Sequence, residues 1–359
     1  MFQFEEIASL PPFSLAQRDK EALFERAMTD LTLHHLERCM DYKKIVQGLG
    51  FDPKSSHGVL DFPFLPVRLF KSHELLSTDR SEIVKTMTSS GTTGQRVSKI
   101  FLDRETSARQ TKALARIASD FLGGRRMPML VIDSSDLLKN RSMFSARGAG
   151  ILGFSMLGRD VTYALDGEMK LNFDAVEDFL DRHRDENILL FGFTFMIWEH
   201  FYKTLAKSAR RLPIENGIVI HGGGWKKMRD EAVDSASFRE ALRSVCGASR
   251  VHNYYGMVEQ TGSIFMECEE GRLHCSIFSD VIVRNHMDFS PCRTGEDGLI
   301  QVISLLPGSY PGHSILTEDT GCITGIDDCP CGRLGRTFTV RGRIAQAEAR
   351  GCSDTYEKR

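Results

Sequence analysis

The chain has 359 residues, a formal net charge of -2, 41% hydrophobic residues and 26% charged residues. A chain of this length and ordinary composition can bury a large core in one or two domains. The near-neutral charge gives no support for nucleic-acid or anionic-membrane binding, and no apolar run reaches the roughly 20 residues that span a bilayer. The N-terminus lacks a signal-peptide layout, so we expect a cytoplasmic protein.

Apolar periodicity predicts an alternation of helices and strands along most of the chain. Helices are predicted at 15–48, 105–121, 172–184 and 234–245, and buried strands at 127–133, 188–192 and 217–220. Short apolar strands that alternate with helices predict an α/β fold with a largely parallel sheet. From about residue 272 the pattern changes to short strands with Gly/Pro turns, which predicts a small β-rich subdomain.

A run of small hydroxyl residues and glycines, TSSGTTG at 88–94, is the most distinctive stretch of the chain. Glycine permits close approach and positive φ, so such a loop can surround a polyphosphate with N–H groups and hydroxyl donors. Strand-like residues at 81–86 and 99–102 flank the loop, which predicts that it joins two strands. Gln95 and Arg96 follow where a Walker loop requires Lys, so another type of nucleotide loop is predicted. An ordinary Ser/Thr/Gly loop is the alternative.

Three further motifs lie at predicted strand ends, where α/β proteins bind ligands. The three glycines at 222–224 offer bare backbone against which a flat ring can lie, or simply form a tight strand–helix turn. In NYYGMVE at 253–259, an aromatic residue before glycine can stack on a base, and Glu259 can bind a divalent cation. Asp319 of LTEDTG, in a predicted turn, can accept hydrogen bonds from both ribose hydroxyls. Ordinary turns explain the last two motifs equally well.

The cysteines are concentrated in the C-terminal part of the chain, where seven of the nine follow residue 265. An odd number in a long chain without signal-peptide features argues against a disulfide framework. Cys329 and Cys331 form a tight pair in a turn, and Cys268 and His274 lie upstream. These four can bind a structural, tetrahedral zinc ion. Cys-x-Cys spacing is less diagnostic than Cys-x₂-Cys, and reduced, buried thiols are the alternative.

The order of these motifs, ending with Gly342-Arg343, resembles the core motifs of the adenylate-forming superfamily of acyl-CoA synthetases and luciferases. Within that superfamily, FPFLPVRLFK, TSSGTTG, SYPGHSILTEDTG and RGCSD resemble the acyl-protein synthetase, or LuxE, family. The resemblance covers about residues 60–355. It implies an adenylation domain at 1–340, with 272–340 as its β-rich subdomain, and a short hinge-like tail at 341–359.

The resemblance implies a role for each motif in binding Mg-ATP. The loop would hold the β- and γ-phosphates, with Thr92 as its catalytic hydroxyl, and Glu259 would coordinate Mg²⁺. Asp319 would bind the ribose, and Arg343 would lie near the ribose or the hinge. The implied ATP-binding residues are Ser89, Ser90, Gly91, Thr92, Thr93, Gly94, Gly222, Gly223, Gly224, Asn253, Tyr254, Tyr255, Gly256, Asp319 and Arg343.

The C-terminal end departs from the usual adenylate-forming pattern. Members of that superfamily normally continue into a second domain with a catalytic Lys and a thiol-binding face, whereas only 16 residues follow Arg343 here (359 minus 343). We therefore expect no full C-terminal domain and no coenzyme A site built on one. Ile344 and Ala345 stand where x-Asp is usual, so the hinge match is partial. Cys352 matches the cysteine that accepts the acyl group in acyl-protein synthetases, and Arg350 would favour its thiolate. An unreactive tail cysteine is the alternative.

The hypothesis from the sequence is ATP-dependent activation of a long-chain fatty acid to acyl-AMP, followed by transfer to Cys352 as a thioester. The thioester would be delivered to an acyl reductase partner in a fatty acid reductase complex. A coenzyme A ligase of the phenylacetate type is the alternative enzyme, and it predicts acyl-CoA with no dependence on Cys352. A non-catalytic nucleotide-binding subunit, the other alternative, predicts ATP binding without pyrophosphate release.

Overall fold

The computed structural model describes residues 3–55, 57–89, 97–138, 146–208 and 210–344. Most of the predicted phosphate loop, residues 90–94 including Thr92, and the predicted acyl acceptor Cys352 lie outside the described residues. The described residues divide into two compact units, one of 3–117, 256–265 and 272–344 and the other of 118–255 and 266–271. Within these ranges, no helix combines the length and hydrophobicity that a bilayer span requires.

Helices and strands alternate along the described chain. The helices are α1 (Phe4–Ala8), α2 (Gln17–Arg38), α3 (Met40–Gly48), α4 (Leu69–Ser72), α5 (Arg104–Leu122), α6 (Ala146–Ser155), α7 (Phe173–Arg182), α8 (Thr194–Met196), α9 (Lys203–Lys207) and α10 (Ser235–Cys246). The strands are β1 (Leu65–Pro66), β2 (Lys85–Thr88), β3 (Lys99–Leu102), β4 (Met127–Ser134), β5 (Gly158–Leu165), β6 (Ile188–Phe193), β7 (Gly217–Gly222), β8 (Arg250–Tyr255), β9 (Phe265–Glu267), β10 (Leu273–His274), β11 (Ser279–Arg284), β12 (Gly298–Ser304), β13 (Ser314–Ile326) and β14 (Arg336–Arg343).

The second unit contains a parallel sheet in the order β5-β4-β6-β7-β8. Every residue of β4, β6 and β7 is buried, which is typical of parallel strands covered on both faces. Helices α7 and α10 begin at side-chain caps, Asn172 and Asp234, whose oxygens accept backbone N–H groups at 3.2 and 2.7 Å. The three predicted buried strands are confirmed. Strand β5 is missed from the sequence, because its exposed residues 159–161 interrupt the apolar run.

The first unit contains an antiparallel sheet in the order β11-β12-β13-β14-β10, with β1 parallel to β13. Parallel and antiparallel strands together confirm the predicted α/β class with a β-rich part. The prediction of a turn at 316–321 is wrong, because this segment lies inside the 13-residue β13. There Leu316 pairs with Gln301 of β12, and Asp319 pairs with Arg343 of β14.

The predicted phosphate loop connects β2 and β3, which pair antiparallel from Lys85↔Leu102 to Thr88↔Lys99. The prediction that the loop joins two strands is confirmed. The strand does not begin at residue 81, however, because Arg80–Glu82 forms a 3₁₀ turn. The single helix predicted over 15–48 is two helices, since extended backbone at Cys39 separates α2 from α3.

Candidate active site

The base of the predicted phosphate loop is closed by two hydrogen bonds in the first unit. Ser89 N donates to Ser98 O at 3.1 Å, and Ser98 N donates to Ser89 Oγ at 2.9 Å. Both residues are buried, at 4% and 0% relative exposure. The two serines therefore fix the points where the loop leaves β2 and returns to β3. Ser98 was not predicted from the sequence, because nothing in VSKI indicates its pairing.

Glu259 is a buried carboxylate beside the base of this loop. It lies in the short 3₁₀ turn Val258–Gln260 and is 4% exposed. Burial raises the pKa of Glu259, while the nearby Ser98 side chain and the charges of Lys71 and Arg343 act in the opposite direction. Its backbone is also held, since Tyr310 Oη donates to Glu259 O at 2.8 Å. A divalent cation would favour the ionised form of such a carboxyl group.

Lys71 and Tyr310 are two further residues of this region that no single motif identified. Lys71 ends the segment FPFLPVRLFK, and Tyr310 belongs to SYPGH. Both segments carried the family resemblance, so the signal was present without an assignment to individual side chains.

Asp319 and Arg343 form a pair on neighbouring strands of the same unit. They are register partners in β13 and β14, and Arg343 Nε donates to Asp319 Oδ1 at 2.9 Å. Their side chains are 13% and 26% exposed, so both can reach a ligand. The sequence placed these residues in two separate motifs 24 positions apart, and the strand pairing brings the two together. The carboxylate and the guanidinium can together accept from and donate to neighbouring hydroxyls.

The three glycines predicted to face adenine differ in their surroundings within the second unit. A Cβ at Gly222 would lie 2.7 Å from the Tyr254 ring, and one at Gly223 would lie 2.4 Å from the Phe193 ring. These two glycines are therefore required by packing against the chain's own aromatic residues. At Gly224, with φ +69°, a Cβ would have no atom within 4 Å. Its backbone is the most accessible of the three.

The residues of the NYYG motif occupy the end of β8. Asn253, Tyr254 and Tyr255 are half-buried, and Gly256 is exposed. Burial of its hydroxyl raises the pKa of Tyr254, so the phenol is neutral over the physiological range. Asn253 lies close to Glu267, whose pKa is raised by burial. The aromatic residues at this strand end thus offer ring faces.

His221 immediately precedes the glycines and was not predicted. Its Nδ1 atom lies 2.9 Å from Thr194 Oγ1, and its ring stacks on Phe238 at 4.3 Å. Burial, together with the nearby His252, lowers the pKa of His221 to about 3. A neutral histidine at the end of β7 therefore holds the chain just before Gly222.

The four predicted metal ligands come together in the structure. The ligand atoms of Cys268, His274, Cys329 and Cys331 all lie within 4.8 Å of one another. The Sγ atom of Cys331 is 3.4 Å from His274 Nε2. Three of the residues are buried, and Cys331 is half-buried. We refer to these four residues as the cysteine–histidine cluster.

Comparison with known proteins places this geometry in a family. The family model described as "Acyl-protein synthetase, LuxE" matches residues 4–359, nearly the whole chain. The chain belongs to the LuxE acyl-protein synthetase family. The family resemblance drawn from the sequence motifs is thereby confirmed, and the chain is a ligase.

Two curated relatives and one solved structure illustrate the range of similarity. The long-chain-fatty-acid–luciferin-component ligase of Aliivibrio fischeri is 22% identical over 310 residues, which cover 83% of this chain and 78% of the relative. The phenylacetate-coenzyme A ligase of Thermus thermophilus is 25% identical over 358 residues, which cover 92% of this chain and 74% of the relative. An open conformation of 2-hydroxyisobutyryl-CoA ligase has a TM-score of 0.70 at 17% identity, over 93% of this chain and 77% of that chain. The last similarity shows a shared fold.

Proposed function

We propose that this LuxE-family ligase activates a long-chain fatty acid with Mg-ATP and then carries the acyl group on its own Cys352. An acyl reductase partner would take the group from that thioester. The observation that carries the proposal is the position of buried Glu259 beside Ser98, which closes the base of the phosphate loop. The name of the Aliivibrio fischeri relative supports a long-chain fatty acid as the substrate.

In the first step a carboxylate oxygen of the fatty acid attacks the α-phosphorus of ATP, and the bond from that phosphorus to pyrophosphate breaks. No general base is needed, because a carboxylic acid is already ionised at neutral pH. We assign Glu259 to Mg²⁺, and residues 89–94 with Thr92 to the β- and γ-phosphates. The cation and the loop donors would offset the charge that develops on the leaving pyrophosphate.

We assign the nucleoside to the residues of three sequence motifs. Asp319 would accept from the ribose hydroxyls, with Arg343 holding the carboxylate in place at 2.9 Å. The glycines at 222–224 and residues 253–256 would frame adenine. The accessible backbone of Gly224 and the ring faces at the end of β8 support this assignment.

In the second step the Cys352 thiolate attacks the carbonyl carbon of acyl-AMP, and AMP leaves through its phosphate oxygen. The product is an acyl thioester on a tail, residues 341–359, that follows the adenylation domain at 1–340 with its β-rich part at 272–340. Arg350 would favour the thiolate. We place the reaction in the cytoplasm, where thiols stay reduced. A metal ion held by four protein ligands has no open position, so the proposal gives the cysteine–histidine cluster no step in this chemistry.

A coenzyme A ligase is the second candidate, and the Thermus thermophilus relative favours it. In that reaction the thiol of coenzyme A, in place of Cys352, attacks the acyl-AMP. The two candidates share the first step and differ in the acceptor of the acyl group.

The test is intact-mass measurement of the full chain after incubation with Mg-ATP and a panel of fatty acids, without coenzyme A. We expect a gain of one acyl group that hydroxylamine removes and that Cys352→Ala abolishes. Cys292→Ala, which changes another accessible cysteine, should acylate normally. Pyrophosphate release with no mass gain, together with free acyl-CoA when coenzyme A is added, would establish the second candidate instead. An absence of pyrophosphate release with every acid tested would refute both.

A further inference from the structure

We propose that the cysteine–histidine cluster of Cys268, His274, Cys329 and Cys331 binds one zinc ion that stabilises the turn between β13 and β14. This inference goes beyond the proposed function and requires none of its steps. A single tetrahedral ion accounts for the number, the type and the spacing of the four side chains.

The spacing of the ligand atoms matches one tetrahedral ion. With zinc–sulfur and zinc–nitrogen bonds of about 2.3 and 2.0 Å, neighbouring ligand atoms are separated by about 3.5–3.8 Å. Cys331 Sγ and His274 Nε2 are 3.4 Å apart, and all four atoms lie within 4.8 Å of one another. A small contraction around the ion would complete the coordination sphere. Soft thiolates with one imidazole favour zinc over magnesium or calcium, which prefer oxygen ligands.

Two turns of the same form present the thiols. In Cys268–Gly271 the fourth residue donates its N–H to the first carbonyl at 3.0 Å, and Cys329–Gly332 repeats this bond at 3.0 Å. Both glycines have positive φ, +75° and +80°, which favours glycine over other residues. The turns hold the backbone of each leading cysteine in place. Two cysteines that begin matching turns are difficult to explain as ordinary buried thiols.

The backbone around the second turn is also held in place independently of a metal. Asp327 Oδ1 accepts from Gly335 N at 2.7 Å, and the same carboxylate accepts from Gln17 N at 2.9 Å. His274 lies on β10, which pairs with β14 directly after the turn, at Thr337. The Phe13 ring meets the His274 ring edge-on at 5.9 Å and covers it. The ligands therefore need little reorganisation, which favours tight binding.

The charge of the site is consistent with its surroundings. Three thiolates, one neutral imidazole and Zn²⁺ carry one net negative charge. Arg272 and Arg333 each stand two residues from a ligand in the sequence, and Arg272 is 3.0 Å from Asp328 at the turn. Positively charged residues close to the ligands can balance this net charge. Four protein ligands and burial make the site structural, since no position is open to substrate.

The first experiment measures metal in the untagged full-length protein purified under reducing conditions. We expect about one zinc per chain by plasma mass spectrometry. Replacement by Co²⁺ should give the intense visible bands and the thiolate charge-transfer band of a tetrahedral, sulfur-rich site. Less than about 0.2 zinc per chain in folded protein, after reconstitution with excess zinc and gel filtration, would overturn the proposal. An iron–sulfur absorption spectrum would overturn it equally.

Variants separate the site from general effects on folding. Cys329→Ser combined with Cys331→Ser should lose the zinc and lower the midpoint of thermal unfolding. Cys292→Ser, outside the cluster, should keep the zinc and the wild-type midpoint of thermal unfolding. His274→Cys should retain zinc, because a four-thiolate site is also tetrahedral. Loss of zinc in Cys292→Ser, or full zinc retention in the double variant, would contradict the assignment. Should the double variant fail to fold, the cobalt spectrum of the wild-type protein still decides the question.

Discussion

Replacing Glu259 with Gln separates the requirements of the fold from those of the proposed chemistry. The change keeps the size of the side chain and removes its negative charge. Burial raises the pKa of Glu259 above its ordinary value of 4.5. Its contribution to the free energy of unfolding is therefore full below pH 4.5 and is lost as the pH rises through the folded-state pKa. At pH 7 the wild-type fold bears the cost of a buried, ionised carboxylate. The Gln variant has no such charge, so without ligand it should be at least as stable as wild type.

Glu259→Gln should slow the reaction strongly, although it does not destabilise the ligand-free fold. Two unit charges about 4 Å apart attract by about 4 kcal/mol at an effective dielectric constant of 20. The charges of Lys71 and Arg343 already act on Glu259, so we take about 3–4 kcal/mol as the stabilisation lost with the carboxylate. This loss corresponds to a rate lower by about 10²–10³. The stabilisation of the fold by Mg-ATP should be lost as well.

Two assays measure these effects, namely ATP–pyrophosphate exchange with saturating fatty acid and thermal unfolding with and without Mg-ATP. Glu240→Gln makes the same chemical change at an exposed position on α10 and should leave both readouts unchanged. Exchange by Glu259→Gln within about threefold of wild type would refute the assignment of Mg²⁺ to this residue, since the expected loss is about 10² or more. A ligand-free variant that unfolds well below the wild-type temperature would refute the inference from burial.

Three further predictions follow from the geometry. Asp319→Asn should raise KM for ATP by about 10- to 100-fold in a steady-state assay, because a charged hydrogen-bond acceptor is worth about 1.5–3 kcal/mol. Gly222→Ala should lower the free energy of unfolding in urea by about 1–3 kcal/mol, since its Cβ would lie 2.7 Å from the Tyr254 ring. Gly48→Ala is the control, because a Cβ at Gly48 would have no atom within 4 Å. This variant should not lower the free energy of unfolding. Because burial lowers the pKa of His221 to about 3, stability should be full above pH 6.5 and fall as the pH drops toward 3. His221→Gln should show a shallower fall in urea unfolding across that range, and an unchanged slope would contradict the role of this histidine.

The parallel strands were predictable from the sequence because burial on both faces makes them continuous apolar runs. MPMLVID became β4, and GIVI became the first four residues of β7. The edge strand β5 was not predictable in the same way, because three of its eight residues are exposed. Propensity also misassigned residues 316–321. The Asp, Thr and Gly of TEDTG favour a turn locally, but pairing with strands on both sides holds the segment extended.

The candidate site shows the same division between local and long-range information. Motif composition identified Glu259 and the loop, since those signals are contained within a few residues. The contacts of Ser98 and the pairing of Asp319 with Arg343 depend on strand neighbours that no local pattern encodes. The three glycines were predicted for their accessibility to a ring, whereas two of them are required by packing against the chain's own aromatic side chains.

One hairpin connects the cysteine–histidine cluster with the proposed ribose site. Strands β13 and β14 carry Asp319 and Arg343 at one end of their ladder, and the turn that joins the strands carries Cys329 and Cys331. The ladder runs from the pair Asp319↔Arg343 to Ile326↔Arg336, a distance of about 23 Å at 3.3 Å per residue. Two register irregularities interrupt it, between residues 320 and 321 and between 323 and 325. A slip of one residue would turn Asp319 to the opposite face of the sheet, so the register of this ladder decides where the proposed ribose residue lies. A metal ion at the turn would fix the register from the far end, which gives a physical reason for a structural site distant from the proposed chemistry.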